Sequence, residues 1–430
     1  MSAYVKSLNR RNDGRSPEVK GHRLTAESPT GTRTRSGLWI VAVLFLLIMA
    51  FSTAPTPLYP LYQGAEGFGS DVISVVYAMY AFGVLTSLLL VGHVSDWYGR
   101  KPLLLGSLLL ALVASSLFVA STHLTTLLVA RFVNGVAVGM LTATATAALV
   151  ALNRTSRNPR SRTFVDTLTI VVNVGGLGLG AAFSGAVAAL GTAPLVLPYA
   201  LFGGAFLLLV PLVVLVPETV NVRRPLPRYR PQRLRVPATS RAAFWSSLGL
   251  AFVGFAVFGL FTSLAPSLLT SGYGLDSPFV AGVTAFSVFA SAATAQALFS
   301  RVPERSRVPL AATLLVTGLF VITVQEFAPS YVLFLLGGTI AGAGSGTAFK
   351  AAVATINDLS DPDHHAGILA NLFLGAYVGI SVPVIGLGVA ATVLPLPIAV
   401  TLFSAALAVL TVPVAVVHVR SASTKPSPSA

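Results

Sequence analysis

The sequence predicts an all-α membrane protein of twelve transmembrane helices, arranged as two six-helix pseudo-repeats. Three observations carry this prediction. Of 430 residues, 54% are hydrophobic and only 10% charged, a balance too apolar for a water-soluble domain. The apolar residues fall into twelve runs of about 20, the length that crosses a hydrocarbon core about 30 Å thick. Finally, the cations alternate by side. Eight of the 28 Lys and Arg lie between Lys6 and Arg35, and most others cluster at Arg100–Lys101, Arg154–Arg162, Arg223–Arg241, Arg301–Arg307 and Arg420–Lys425. The intervening loops contain none, which by the positive-inside rule places both termini in the cytoplasm of a cell bounded by this membrane. The net charge of +14 therefore sets topology and meets anionic lipid; it does not call for nucleic acid.

In chain order, residues 1–37 read as a disordered basic cytoplasmic tail. The first apolar run begins near Leu38, too late and too long for a cleaved signal, so it is expected to remain in the mature protein. The runs cover 38–59, 72–92, 102–121, 124–150, 163–190, 195–216, 242–269, 278–299, 308–325, 331–356, 366–391 and 397–418. The first ends in APTPLYPLY (Ala54–Tyr62), whose prolines should break its outer end. Short outer connections such as Ser121–Thr125 and Gly191–Pro194 force successive helices to be antiparallel neighbours. The Arg- and Pro-rich stretch 220–241 reads as a cytoplasmic linker between the halves 38–219 and 242–418, and 419–430 as a second tail. A shift of 207 residues supports the division: it places Arg100 on Arg307, Pro102 on Pro309, Ser70 on Ser277, Gly135 on Gly342 and Gly139 on Gly346.

The most specific stretch is the loop Gly92–Pro102, GHVSDWYGRKP, between the second and third runs. Asp96 is an anion beside Arg100 and Lys101, while Gly92 and Gly99 permit a sharp turn and close helix approach, giving a polar latch that helix motion can break. Orientation alone would need the cations but neither the acid nor the glycines. The spacing resembles G-x-x-x-D-[RK]-x-G-R-[RK], the loop between helices 2 and 3 of the major facilitator superfamily, with Trp97 replacing the usual basic residue. The resemblance implies two six-helix halves with the substrate site between them near the midplane. It also implies a gate built from Gly92, Asp96, Gly99, Arg100 and Lys101.

Within the fourth run, RFVNGVAVG contains Arg131, a cation that must face a cavity, find a partner or snorkel to the surface. Helical spacing aligns Arg131, Gly135, Val138, Thr142 and Thr146, with Asn134 beside them, as a candidate cavity wall. The segment is similar to the R-x-x-Q-G motif of facilitator drug/proton antiporters, with Asn134 in place of Gln, and that resemblance implies a proton-coupling role for Arg131. In the fifth run, Gly176-x-x-x-Gly180-Ala181-x-x-Ser184-Gly185 resembles the antiporter motif G-x-x-x-G-P-x-x-G-G, which implies export. From the residues alone, Gly176 and Gly180, like Gly135, Gly139, Gly342 and Gly346, read as close helix packing. Asp166 is the one carboxylate inside a run: either a proton carrier or an acid held by the start of its helix. Lys350 reads as a snorkelling lysine.

Tyr80, Asn173, Phe258 and Asn371, with Asn134 and Thr142, are the candidate lining of a mostly apolar substrate cavity; Tyr77, Trp245, Phe255, Gln296 and Tyr377 extend the set. The chain has no cysteine, hence no disulfide or thiolate metal site, and no H-E-x-x-H, Walker or G-x-S-x-G motif, so no cofactor, metal or enzymatic activity is expected. His364 and His365 lie in an acidic loop that reads as solvated. The expectation is a monomeric plasma-membrane carrier exporting small lipophilic compounds or drugs in exchange for protons, a multidrug-type antiporter. The alternative is a proton-coupled uptake symporter, and a non-transporting sensor or enzyme is the remaining class.

Overall fold

The computed structural model describes residues 31–91, 98–156, 159–220, 241–324, 329–359 and 365–423. Every regular element in them is helical, and twelve helices are long and apolar enough to cross a membrane. We number these α1 (Gly31–Thr53), α2 (Ser70–Leu90), α3 (Arg100–Ala120), α4 (Leu124–Arg154), α5 (Arg162–Ala189) and α6 (Leu197–Val214). The second six are α7 (Arg241–Ser263), α8 (Pro278–Leu298), α9 (Glu304–Val324), α10 (Tyr331–Leu359), α11 (His365–Ala390) and α12 (Leu396–Ser423). Large apolar side chains such as Phe82, Leu208, Trp245 and Val409 are more than half exposed on the outside of the bundle, where a lipid-facing belt is required.

The helix ends follow their local chemistry. Pro55 and Pro57 end α1 at Thr53; a 3-10 turn, Thr56–Leu58, and a short helix, Tyr59–Glu66, carry the chain onward. The counterpart after α7 is the short helix Ala265–Tyr273. Both short helices stop at a left-handed glycine, Gly67 (φ 73°) and Gly274 (φ 66°), which are 207 residues apart in the sequence. Between α4 and α5 the Asn153 amide bridges the backbone of Arg160, accepting from its N–H and donating to its carbonyl, both at 2.9 Å. Ser161 Oγ then caps α5 by accepting from Phe164 N–H at 3.2 Å. One departure concerns α1, which begins at Gly31, so residues 31–37 are helical rather than tail; Thr34 is buried and extends the packed face.

Packing is dominated by glycines where helices cross. A Cβ on Gly135 would lie 2.1 Å from the Tyr80 carbonyl oxygen, and one on Gly342 2.4 Å from that of Val288. Gly139 and Gly346 sit against α2 and α8 in the same way. Gly180 lies on the Ala50 backbone of α1, and Gly176 on Leu46 one turn away. Two seams join the first six helices to the second: α2 against α11, and α5 against α8. In the second seam Gly185 rests on Pro278 and Gly282 on Ala181, backbone to backbone.

A cavity between the two sets of six helices

The seams flank a central cavity lined by side chains from both sets of helices. From the first six helices its wall is Met49, Ser52 and Thr53 of α1, Tyr77 and Tyr80 of α2, Thr142 of α4, and Asn173 and Leu177 of α5. From the second six it is mostly aromatic: Phe255 and Phe258 of α7, Phe289 of α8, Phe349 of α10, and Phe373 and Tyr377 of α11. Phe258 and Phe289 stack at 4.9 Å, and Phe255 packs against Phe349 and Tyr377 at 5.0 and 5.8 Å, so that wall is one continuous ring surface. Polar contributions there are few, namely Thr262 and Gln296.

The cavity is capped toward the two short helices. Thr56 Oγ1 donates to the Thr262 carbonyl at 3.0 Å, the Thr262 and Tyr77 hydroxyls meet at 2.5 Å, and Ser267 Oγ donates to Gln63 Oε1 at 2.7 Å. Each of these bonds crosses between the two sets of helices. Deeper in, Tyr80 and Ser52 face Tyr377 across the cavity. At the other end Lys350 Nζ donates to the Gln296 carbonyl, with the charges of Arg307 and, from the first six helices, Asp166 within Coulombic reach.

Tyr80, Thr142, Asn173 and Phe258 line the cavity, as do Tyr77, Phe255, Gln296 and Tyr377. Three assignments change. Asn134 and Asn371 are both buried within the helix packing and are not part of the lining. A polar residue in an apolar run signals an interior face, and these two faces are helix–helix contacts. Trp245 turns outward, 59% exposed. Asp166 is exposed at the start of α5, so it is not a desolvated carboxylate. Ser52, Thr53 and Thr262 were not anticipated, because hydroxyls in such helices commonly bond their own preceding turn; Thr262 does so too, to Phe258 O at 2.6 Å.

In the loop before α3, Gly92 and Asp96 lie outside the described residues. The described part holds an unforeseen anchor, Glu218. Its carboxylate accepts from the backbone N–H of Arg100 and Lys101, both at 3.0 Å, capping the N-terminus of α3. Gly99 has φ 98°, so glycine is required there by conformation, and the Glu218 carboxylate packs where a side chain would otherwise begin. Arg100 Nη1 donates to the Ala147 carbonyl of α4 and to Thr219 Oγ1 at 3.0 and 3.1 Å. Arg100 therefore ties the start of α3 to α4 and to the end of α6.

Arg131 is 1% exposed, directly behind the cavity wall. Its Nη1 donates to the Ser52 carbonyl at 2.7 Å, and its guanidinium lies 5.4 and 4.8 Å from the ring centres of Tyr77 and Tyr80. Its Nε and Nη2 have no hydrogen-bond partner among the described residues, and neither does either atom of the Asn134 amide.

Comparison with known proteins places this geometry. A family model described as Major Facilitator Superfamily matches residues 38–324. Two relatives, each named "Uncharacterized transporter", from Rickettsia felis and Rickettsia bellii, are each 33% identical over 107 residues, 24% of this chain. The chain thus aligns with about a quarter of the length of these curated relatives, 25% and 26%. Among solved structures, a mutant of the nucleoside transporter NupG superposes with TM-score 0.65 at 12% identity, over 90% of this chain and 99% of that one. A bacterial homolog of the human lysosomal transporter Spinster, inward-facing and unoccupied, gives 0.65 at 15% identity over 92% and 99%. The human organic anion transporter MFSD10 gives 0.63 at 17% over 89% and 99%. At these identities the structures share the fold. Twelve helices long and apolar enough to cross a membrane, two seams around a central cavity and a family match over residues 38–324 lead to one conclusion: the chain belongs to the Major Facilitator Superfamily.

Proposed function

We propose that this transporter exports small, mostly apolar organic compounds in exchange for protons, by rocking residues 38–219 against 242–418 about the central cavity. The observation that carries the reading is the cavity itself, a wall of stacked phenylalanines facing a wall of tyrosines and small hydroxyls, capped at one end. Such a surface takes up a molecule by burying its apolar area, with orientation left to a few polar groups. The resemblance of the fifth run to the antiporter motif supports the outward direction. In this reading the basic loops face the cytoplasm and anionic lipid, the capped end faces outward, and the protein works as a monomer in the plasma membrane. Asp96, with Arg100 and Lys101, gates the cytoplasmic side, and Asp166 and Lys350 are opposite charges brought together as the mouth closes. Arg131 links protonation to cargo.

The test uses inside-out vesicles energised to an acid interior, with a pH-gradient dye and a panel of lipophilic cations, aromatic acids and neutral aromatics. Addition of a cargo should dequench the dye in wild-type vesicles, weakly in Phe258→Ala, and not at all in Asp96→Asn. Cargo that instead enters right-side-out vesicles down an inward proton gradient would establish a symporter. Absence of flux in either orientation across the panel would sink the exchange mechanism.

A further inference from the structure

Arg131 presents an electrostatic problem that the exchange reading does not solve. Arg131 stands about two turns inside the Leu124 end of α4, and a guanidinium within a membrane helix is costly unless it is neutralised or hydrated. Arg131 is sealed from water, and among the described residues no carboxylate is paired with it. The ionisable side chains that sense its charge are tyrosines: Tyr59, Tyr62, Tyr77, Tyr80 and Tyr199. Ring faces soften a cation without neutralising it. One edge of the guanidinium is used, by the Ser52 carbonyl; Nε and Nη2 are left over. Two further side chains without a hydrogen-bond partner among the described residues lie close by. Asn134 is one turn along α4, with its amide nitrogen and oxygen both unsatisfied, and the Tyr59 hydroxyl, fully buried, has no partner either. Buried donors are rarely left in this condition, and three residues sharing it in one place describe an unfilled site.

The three residues in direct contact with Arg131, namely Ser52, Tyr77 and Tyr80, also line the cavity. The unfilled site is thus one side-chain layer from the space where cargo binds. The free Nε and Nη2 form one planar donor edge, matched by a carboxylate through two parallel hydrogen bonds and less well by a spherical ion. We propose that Arg131 is the anion subsite of the cargo pocket: the transported molecule is an amphipathic monocarboxylate. Its apolar body lies against Phe258, Phe289 and Phe255, and its carboxylate reaches the Nε/Nη2 edge of Arg131 when Tyr80 turns aside. Tyr80 suits the part, because its ring lies between the guanidinium and the cavity and it faces Tyr377 of the other set of helices across that cavity. Displacing it for the carboxylate changes what the other set of helices faces. Cargo charge is thereby coupled to their relative movement. This inference rests on the reading of the central cavity as the cargo site.

The experiment uses the full chain in lipid nanodiscs and in proteoliposomes, with three probes of one shape: 4-phenylbutyrate, its neutral amide 4-phenylbutyramide, and 4-phenylbutylamine. Wild-type protein should gain thermal stability with the carboxylate and not with the amide or amine. It should also transport the carboxylate, with Arg131→Gln weakening apparent affinity by about 30-fold or more, as expected for loss of a charge-assisted pair. Arg131→Lys, a point charge without the fork, should recover part of that loss. Ligand-free Arg131→Gln should melt no lower than wild type, since it removes an unpaired buried charge; a clear drop would make Arg131 a structural strut and overturn the proposal. Loss of wild-type stability on replacing chloride by gluconate, with no response to 4-phenylbutyrate, would assign the subsite to an inorganic anion and also overturn it. Transport of the amide or amine but not the carboxylate would refute the anion subsite while leaving the carrier reading intact. Arg131-dependent stabilisation by the carboxylate without flux of any probe would do the reverse.

Discussion

Positions 131 and 338 are related by the 207-residue shift, and the two sets of helices use them in opposite ways. In α4 the position is Arg131, a buried cation with unfilled donors amid tyrosines. In α10 it is Gly338, where a Cβ would lie 2.3 Å from the Phe261 ring, and that ring stacks on Phe334 at 4.9 Å. One set keeps a charge and leaves polar atoms unsatisfied; the other removes the side chain and fills the space with aromatic carbon. Yet one turn further on, Gly135 and Gly342 do the same job against the carbonyls of Tyr80 and Val288. The common scaffold is preserved in backbone-to-backbone contacts, and the division of labour is written in the side chains beside them: a polar wall that can sense charge, and an apolar wall that holds bulk.

The comparison can be broken most severely at the scaffold. Gly135→Val and Gly342→Val should each cost roughly 1–3 kcal/mol or more, because the added methyls meet backbone that cannot move aside. Both variants should lose most of their monodisperse peak in detergent size-exclusion chromatography. Survival of one and collapse of the other would show that the two crossings are not equivalent. A smaller effect is expected at position 338. Gly338→Ala pushes on the Phe261 ring, not on backbone, so Phe261→Leu should restore much of the lost thermal stability in a double-mutant cycle. Additive losses would mean that Phe261 is not what fills the missing side chain. The smallest effect is at the cap. Thr262→Val removes a hydroxyl shared with Tyr77, a net change of about 0.5–1.5 kcal/mol, and should raise opening at the capped end by up to about tenfold. The chain has no cysteine, so labelling of a single cysteine introduced at Ser52, buried in the cavity wall, by an impermeant maleimide added from the capped side reads this directly. Unchanged labelling would remove Thr262 from the cap.

The scaffold was legible in the sequence because length and spacing encode it. Runs of about 20 apolar residues specify spans, and the paired glycines of the repeat specify crossings. Arg131 was legible as well, since a charge in such a run demands an explanation. Its neighbours were legible only in part. Tyr80, Thr142, Asn173 and Phe258 reach the cavity, but Asn134 and Asn371 look identical in one dimension and face packing. The helix period orders residues around an axis without saying which neighbour each face meets. Glu218 was not legible as an anchor, because the N–H groups it caps lie 118 and 117 residues earlier in the chain. The asymmetry at positions 131 and 338 follows from tertiary contacts and was legible only in hindsight.

A last consequence follows from the five-residue π turn in α5, Val171–Gly175. A π turn houses one residue more than the ordinary spiral needs, so α5 carries a spare link in mid-membrane. It falls where Asn173 and Val174 reach the cavity. Beyond it, Gly176, Gly180 and Gly185 rivet the helix to α1 and α8; before it, the segment bearing Asp166 is exposed. A helix with no surplus must move as a stiff rod or break. With a spare link, the riveted part can stay still while the free part winds or unwinds by one residue, swinging its side chains about 100° around the axis. Cargo pressing on Asn173 would then have a mechanical outlet along α5, toward Asp166.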